Sequence, residues 1–282
     1  MPYFAYGSNL NAVDLENWCL RQRLPYPLGA TIGRAWLPDC QLVFDTYSGT
    51  RRGGVANVVH RKGYAVPGVV FKIRKNGWRV LSLKEGSPAF YSKCDVVALV
   101  EDAPGVTAPM ACTTYRLAPS ESFIAPSRAY LRAIVGGYEA YGLPLEQLHL
   151  ASCDKDNPLP LFVYGTLQRG KRLHGFMDGF EFVGKATVSG RLLDCGSYPG
   201  LLRGEEGERA HGELYQVKPG IEPEELLRRV DSVEGFGDFD RNNLYERRII
   251  TATDAGGKET SCWTYHWMGK QDLPTIASGI WK

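Results

Sequence analysis

Two short runs of this sequence end in the same signature. "YFAYGSNL" begins at Tyr3 and "LFVYGTLQ" at Leu161, and each is an apolar run closing in Tyr-Gly-Ser or Tyr-Gly-Thr. A glycine directly after a strand lets the chain turn sharply and lets a ligand approach the main chain. Successive N–H groups in such a turn make a site for an anion or a developing oxyanion. Further along each half lies one Glu-Gly pair in a semi-apolar context, Glu85 in "VLSLKEG" and Glu234 in "LLRRVDSVEG". A partly buried glutamate has a raised pKa and exchanges protons near neutrality. One such base and one oxyanion site suffice when the substrate carries its own nucleophile. A surface glutamate before a helix-capping glycine is the plainer reading of the same pair.

Other chemistries fit less well. "GTLQRGKR" from Gly165 spells Gly-x-x-x-x-Gly-Lys, but a phosphate-binding loop needs Ser or Thr where Arg172 stands. The first copy of the turn has neither the second glycine nor the lysine, so a nucleotide rests on Lys171 alone. Ser8 lacks a G-x-S-x-G elbow and is replaced by Thr166 in the second copy. Single carboxylates do not make a glycosidase pair. Seven cysteines without a C-x-x-C pair and five dispersed histidines argue against a metal or a disulfide framework. A formal net charge of +2, from 33 basic and 31 acidic residues, gives no footprint for nucleic acid. The pairs Arg51-Arg52 and Arg247-Arg248 are expected on the solvated surface. The N-terminus lacks the pattern of a signal peptide, and no apolar run approaches the ~20 residues of a membrane span. A reducing cytoplasmic location and no membrane partner are expected.

The elements that must position these residues repeat in order. "GVVFKI" at Gly68 matches "GELYQV" at Gly212. Glu85 precedes Tyr91-Ser-Lys and the strand "DVVALV", and Glu234 precedes Tyr245-Glu-Arg and the strand "RIITAT". Three ordered matches within 282 residues read as two domains of one fold. The boundary falls in "ASCDKDNPLP", giving domains at 1–152 and 158–282. The first carries a helical tail, from Ser127 to near Gly142 and from Pro144 to Leu150. The second contains an amphipathic helix, "PEELLRRVDSVEG", with Glu234 at its end. Short β-rich runs without strand–helix alternation indicate an α+β fold with a mostly antiparallel sheet.

"YFAYGSNL…GVVFKI…LKEG…TTYRLAPSESFIAPS…GLPLEQ" resembles the γ-glutamylcyclotransferases along nearly the whole first half. "FVYGTLQRG…YPGL…GELYQV…VDSVEG…YERR" is similar to the γ-glutamylamine cyclotransferase and avirulence-induced-gene-like branch over most of the second. The resemblance implies that each domain is a small, mostly antiparallel β-barrel with flanking helices and a cavity. It implies that the loops Tyr3, Phe4, Ala5, Tyr6, Gly7, Ser8, Asn9 and Tyr164, Gly165, Thr166, Leu167 bind a γ-glutamyl group through backbone amides. Glu85 and Glu234 would be the general acid/base, with Tyr115 and Tyr265 near the substrate. Tyr91 and Tyr245 are further candidates that could equally be core.

The reaction implied is attack of the substrate's α-amino group on its own γ-carbonyl, giving 5-oxoproline and a free amine without metal or cofactor. The substrate would be a γ-glutamyl amino acid or amine, a glutathione-like peptide, or a γ-glutamyl-protected biosynthetic intermediate of the butirosin kind. Asp231 stands three residues before Glu234, whereas Ser82 precedes Glu85, and Lys84 beside Glu85 could hold it ionised. A domain that keeps its cavity without turnover, as a ligand-binding or regulatory module, is therefore the alternative. The two domains are expected to pack on each other, and the oligomeric state is left open.

Overall fold

A computed structural model describes residues 1–103, 105–239 and 242–282. The chain divides into two compact units, Met1–Val100 with Pro109–Asn157, and Glu101–Ala108 with Pro158–Lys282. The fold is α+β and mostly strands.

The elements of the first half are β1 (Tyr3–Ala5), α1 (Ala12–Gln22), β2 (Leu28–Ser48), β3 (Gly53–Ile73), α2 (Gly77–Lys84), β4 (Ser92–Ala103), β5 (Val106–Arg116), α3 (Arg128–Ala140) and α4 (Glu146–Ala151). β1 pairs antiparallel with β3, β3 with β2, and β2 with β4. β4 neighbours β5, which returns to β1 through a parallel contact at Tyr3 and Thr113. The second half has β6 (Leu161–Val163), β7 (Phe180–Ser189), β8 (Arg191–Asp194), β9 (Pro199–Leu202), β10 (Arg209–Val217), α5 (Pro223–Glu234), β11 (Tyr245–Asp254) and β12 (Glu259–Trp267). Its pairings run β6–β10–β7–β11–β12, and β12 returns to β6 through a parallel contact at Trp263 and Leu161. Each ring thus joins its first and last strands, the order that the repeated motifs follow. β8 and β9 form a separate two-stranded ribbon.

The helical tail reads as α3 and α4. Ser127 caps α3, its hydroxyl accepting from the Tyr130 N–H. Helix α1 is not evident from the sequence pattern. Its Asn11 cap accepts from the Asp14 N–H at 3.0 Å, but only Leu15 and Cys19 are buried, too sparse a stripe to reveal a period. Among the described residues no helix is long and apolar enough to cross a membrane.

Both rings contain one close approach. Phe4 stacks near Tyr6 with ring centroids 6.4 Å apart and planes at 27°; Phe162 and Tyr164 repeat this at 6.4 Å and 29°. The phenylalanine lies over the glycine that opens each matching strand segment. A Cβ on Gly68 would sit 2.3 Å from the Ala5 carbonyl oxygen, and one on Gly212 would sit 2.4 Å from that of Val163. Neither main chain can give way without breaking the ladder it belongs to. Gly212→Ala is expected to lower stability by about 1–3 kcal/mol through overpacking, read from urea unfolding midpoints.

Candidate active sites

Each glutamate is placed by the end of a helix. α5 buries Leu226, Leu227 and Val230 on one face, and Asp231 falls in the same stripe. Gly235 then takes φ +64°, and the Phe236 N–H donates to the Asp231 carbonyl at 2.9 Å. This is a capping turn of the Schellman kind, which stops the helix at Glu234. In the first half Gly86 takes φ +60° and the Ser87 N–H donates to the Ser82 carbonyl at 2.9 Å. The plain reading of Glu-Gly is met, since the glycine caps the helix, and the same cap brings the carboxylate to a cavity.

In the second unit that cavity measures about 200 Å³ and is lined by Tyr164, Gly165, Thr166, Leu167, Glu234, Tyr245 and Tyr265 among others. These are all the residues singled out in this half. The Tyr164 hydroxyl donates to the Tyr265 carbonyl at 2.6 Å and accepts from the Leu201 N–H at 3.3 Å. Tyr245 donates to the Pro199 carbonyl at 2.6 Å, and Tyr265 to Asp231 Oδ1 at 2.6 Å. With their hydroxyl protons committed elsewhere, the tyrosines serve as walls. The N–H groups of Gly165, Thr166 and Leu167 have no acceptor among the described residues. Glu234 is half-buried. Burial, and then the neighbouring Asp231 charge, push its carboxyl up to about 7. Three uncommitted amides and a carboxyl that titrates near neutrality can together stabilise an oxyanion and move a proton.

Beneath Glu234 lies a charge that the sequence reading placed wrongly. Arg247 is fully buried rather than solvated, 3.4 Å from Asp231 Oδ2. Its guanidinium lies 4.7 Å from the Trp263 ring centre and 5.2 Å from that of Phe236. The alternation of β11 carries it inward, where weakly hydrated guanidinium stacks on aromatic faces.

The first unit repeats the frame with a different interior. Tyr6 donates to the Tyr115 carbonyl at 2.7 Å, Tyr91 to the Ala56 carbonyl at 2.8 Å, and Ser82 shares a hydrogen bond with the Tyr115 hydroxyl at 2.9 Å. Tyr3, Tyr6, Gly7, Ser8, Asn9, Glu85, Tyr91 and Tyr115 line a cavity of only about 30 Å³, room for about two water molecules. Asn9 Nδ2 donates at 2.8 Å to both Glu85 and the Tyr3 hydroxyl. The Tyr130 hydroxyl, from α3, lines the same cavity and accepts from the Ala56 N–H at 3.2 Å. Glu85 is therefore held by Asn9, and the adjoining Lys84 has its pKa lowered, chiefly by burial.

Three expectations need correction in this half. Phe4 and Ala5 do not line the cavity; Phe4 packs over Gly68, and Ala5 pairs with Val69 in the ladder. Arg51 is half-buried, donating to Asp14 at 3.0 and 2.7 Å and to the Ser8 hydroxyl at 3.2 Å.

Other lining residues lie outside the motifs that the two halves share. Tyr130 lies on a helix with no copy in the second half. Tyr198 and Leu244 enter the second cavity from loops, and Pro199 enters at the start of β9. "YPGL" at Tyr198 is the one signal that could have found two of them. Among the described residues no three His, Cys, Asp or Glu side chains gather as metal ligands. Asp231→Ala removes an ion-pair partner of buried Arg247, and is expected to cost about 3–5 kcal/mol in chemical unfolding. Ser82→Ala at the matching position loses one neutral hydrogen bond, about 1 kcal/mol.

The family described as "Gamma-glutamyl cyclotransferase, AIG2-like" matches residues 3–132 and again 161–282. The γ-L-glutamyl-butirosin B γ-glutamyl cyclotransferase of Niallia circulans is 38% identical over 125 residues, 43% of this chain and 74% of its own. The γ-glutamylcyclotransferase of Bos taurus is 32% identical over 151 residues, 51% of this chain and 73% of its own. The γ-glutamylaminecyclotransferase of Rattus norvegicus is 31% identical over 118 residues, 37% of this chain and 75% of its own. With both halves matched in turn, the chain belongs to the γ-glutamyl cyclotransferase, AIG2-like family, a class of enzymes.

Proposed function

We propose that the second unit converts γ-glutamyl amides to 5-oxoproline and the free amine, with Glu234 as general acid/base. The observation that carries this is a half-buried carboxyl with a pKa of about 7, in a cavity roofed by three uncommitted amides. The five-stranded ring is read as a small barrel that holds the Tyr-Gly-Thr turn against the end of α5.

The substrate's α-ammonium gives a proton to ionised Glu234, and its nitrogen attacks the γ-carbonyl carbon. A carbon–nitrogen bond forms, and the carbonyl electron pair moves to oxygen, where the N–H groups of Gly165, Thr166 and Leu167 stabilise it. Glu234 returns the proton to the leaving nitrogen, the original amide bond breaks, and the carbonyl re-forms. Glu234 then takes the second proton of the attacking nitrogen and passes it to the released amine, which leaves as an ammonium. Because nucleophile and electrophile share one molecule, much of the entropic barrier is already met.

For the first unit a reading without turnover is favoured by a specific observation. Asn9 bonds one oxygen of the Glu85 carboxylate, and the cavity is about 30 Å³ where that of the second unit is about 200 Å³.

Glu234→Gln is expected to lower 5-oxoproline release from γ-glutamyl amides by about 10²–10⁴-fold. Glu85→Gln falls far short of that loss, in the same assay of amine and 5-oxoproline by chromatography. Below its pKa Glu234 is protonated and cannot act as base. So kcat/KM should fall about tenfold per pH unit below about 7, and a midpoint at the ordinary 4.5 would contradict the raised pKa of Glu234.

A further inference from the structure

The second cavity has a buried end and an exposed end. Gly165, Leu167, Tyr245 and Tyr265 are buried and Glu234 half-buried, whereas Leu244 and Arg172 are exposed. Chemistry at Glu234 puts the ring-forming γ-glutamyl group at the inner end. The leaving amine must then face the outer one.

Arg172 and Glu234 are the two charged side chains among the lining residues. The loop bearing Arg172 is folded back on the Tyr-Gly-Thr turn. The Leu173 N–H donates to the Thr166 carbonyl at 2.9 Å, the Lys171 N–H to that of Gln168 at 3.0 Å, and His174 Nδ1 lies 3.0 Å from that of Leu167. Nearby Arg169 is already engaged with Glu213, through both its main-chain N–H and its guanidinium. No carboxylate pairs with Arg172 among the described residues. An ionised Glu234 repels an anionic leaving group, and a guanidinium at the exit offsets that repulsion. A guanidinium also presents a planar fork matched to a carboxylate.

We propose, resting on the cyclotransferase reading above, that Arg172 receives a carboxylate on the leaving amine. The second unit thereby prefers γ-glutamyl amino acids to γ-glutamyl amines that lack the acid. Leu244, exposed like Arg172, provides apolar contact for the amino-acid side chain.

A matched pair of substrates tests this. γ-L-Glutamyl-L-phenylalanine and γ-L-glutamyl-phenethylamine differ only in the leaving-group carboxylate. The full chain is expected to show a higher kcat/KM for the acid, and Arg172→Gln to reduce the acid-to-amine ratio about tenfold. Arg172→Lys keeps the charge but loses the fork, and so should retain part of the ratio. An unchanged ratio in Arg172→Gln, or a native preference for the amine, overturns the proposal. An equal loss on both compounds does the same, because it places Arg172 on the α-carboxylate that they share. No 5-oxoproline from either compound, or undiminished release by Glu234→Gln, would instead fall on the cyclotransferase reading and take this inference with it.

Discussion

One buried hydrogen bond sets the frame of each unit. A tyrosine leaving the first strand donates its hydroxyl to the main-chain carbonyl of a tyrosine on the last, Tyr6 to Tyr115 at 2.7 Å and Tyr164 to Tyr265 at 2.6 Å. The same strands make the parallel contact that returns each ring to its start. A buried hydroxyl without an acceptor would be costly, so the bond holds the turn whose next three residues line the cavity. Everything proposed for the site depends on that position. The carboxylate arrives from another direction, carried by a helix that a left-handed glycine ends at the needed residue.

The same frame yields two interiors. Where the second unit has Leu167, the first has Asn9, whose amide ties Glu85 to Tyr3. The first cavity is also lined by Tyr130 from its helical tail. Asp231 with buried Arg247 underlies Glu234, while the first unit has Ser82 bonded to Tyr115. These replacements change which groups are satisfied from within. Glu85 already has its partner, and Glu234 waits at a pKa of about 7 for one.

The repeated motifs made much of this legible. Tyr-Gly-Ser/Thr and Glu-Gly could be paired across the halves because the fold needs a turn and a cap at those places as well as chemistry. Gly68 and Gly212 were visible for the same reason, since each admits a phenylalanine ring. Residues whose role is set by distant packing were not legible. Arg51 and Arg247 look like surface pairs in sequence, and their partners, among them Asp14 and Asp231, come from distant segments. Tyr130 and Leu244 reach their cavities from segments that the repeat does not share. The Gly-Lys that resembles a phosphate loop has no counterpart in the first copy of the turn. The arginine after it, Arg172, turned out to lie at the cavity mouth.

The central claim is that the substrate's own amino group, rather than water, attacks the γ-carbonyl at Glu234. Product analysis in water labelled with heavy oxygen tests this most directly. Using γ-L-glutamyl-L-phenylalanine and its Nα-acetyl derivative, the account predicts unlabelled 5-oxoproline from the first and no release of phenylalanine from the second. Glutamate carrying the label, or phenylalanine released from the acetylated compound, would contradict it.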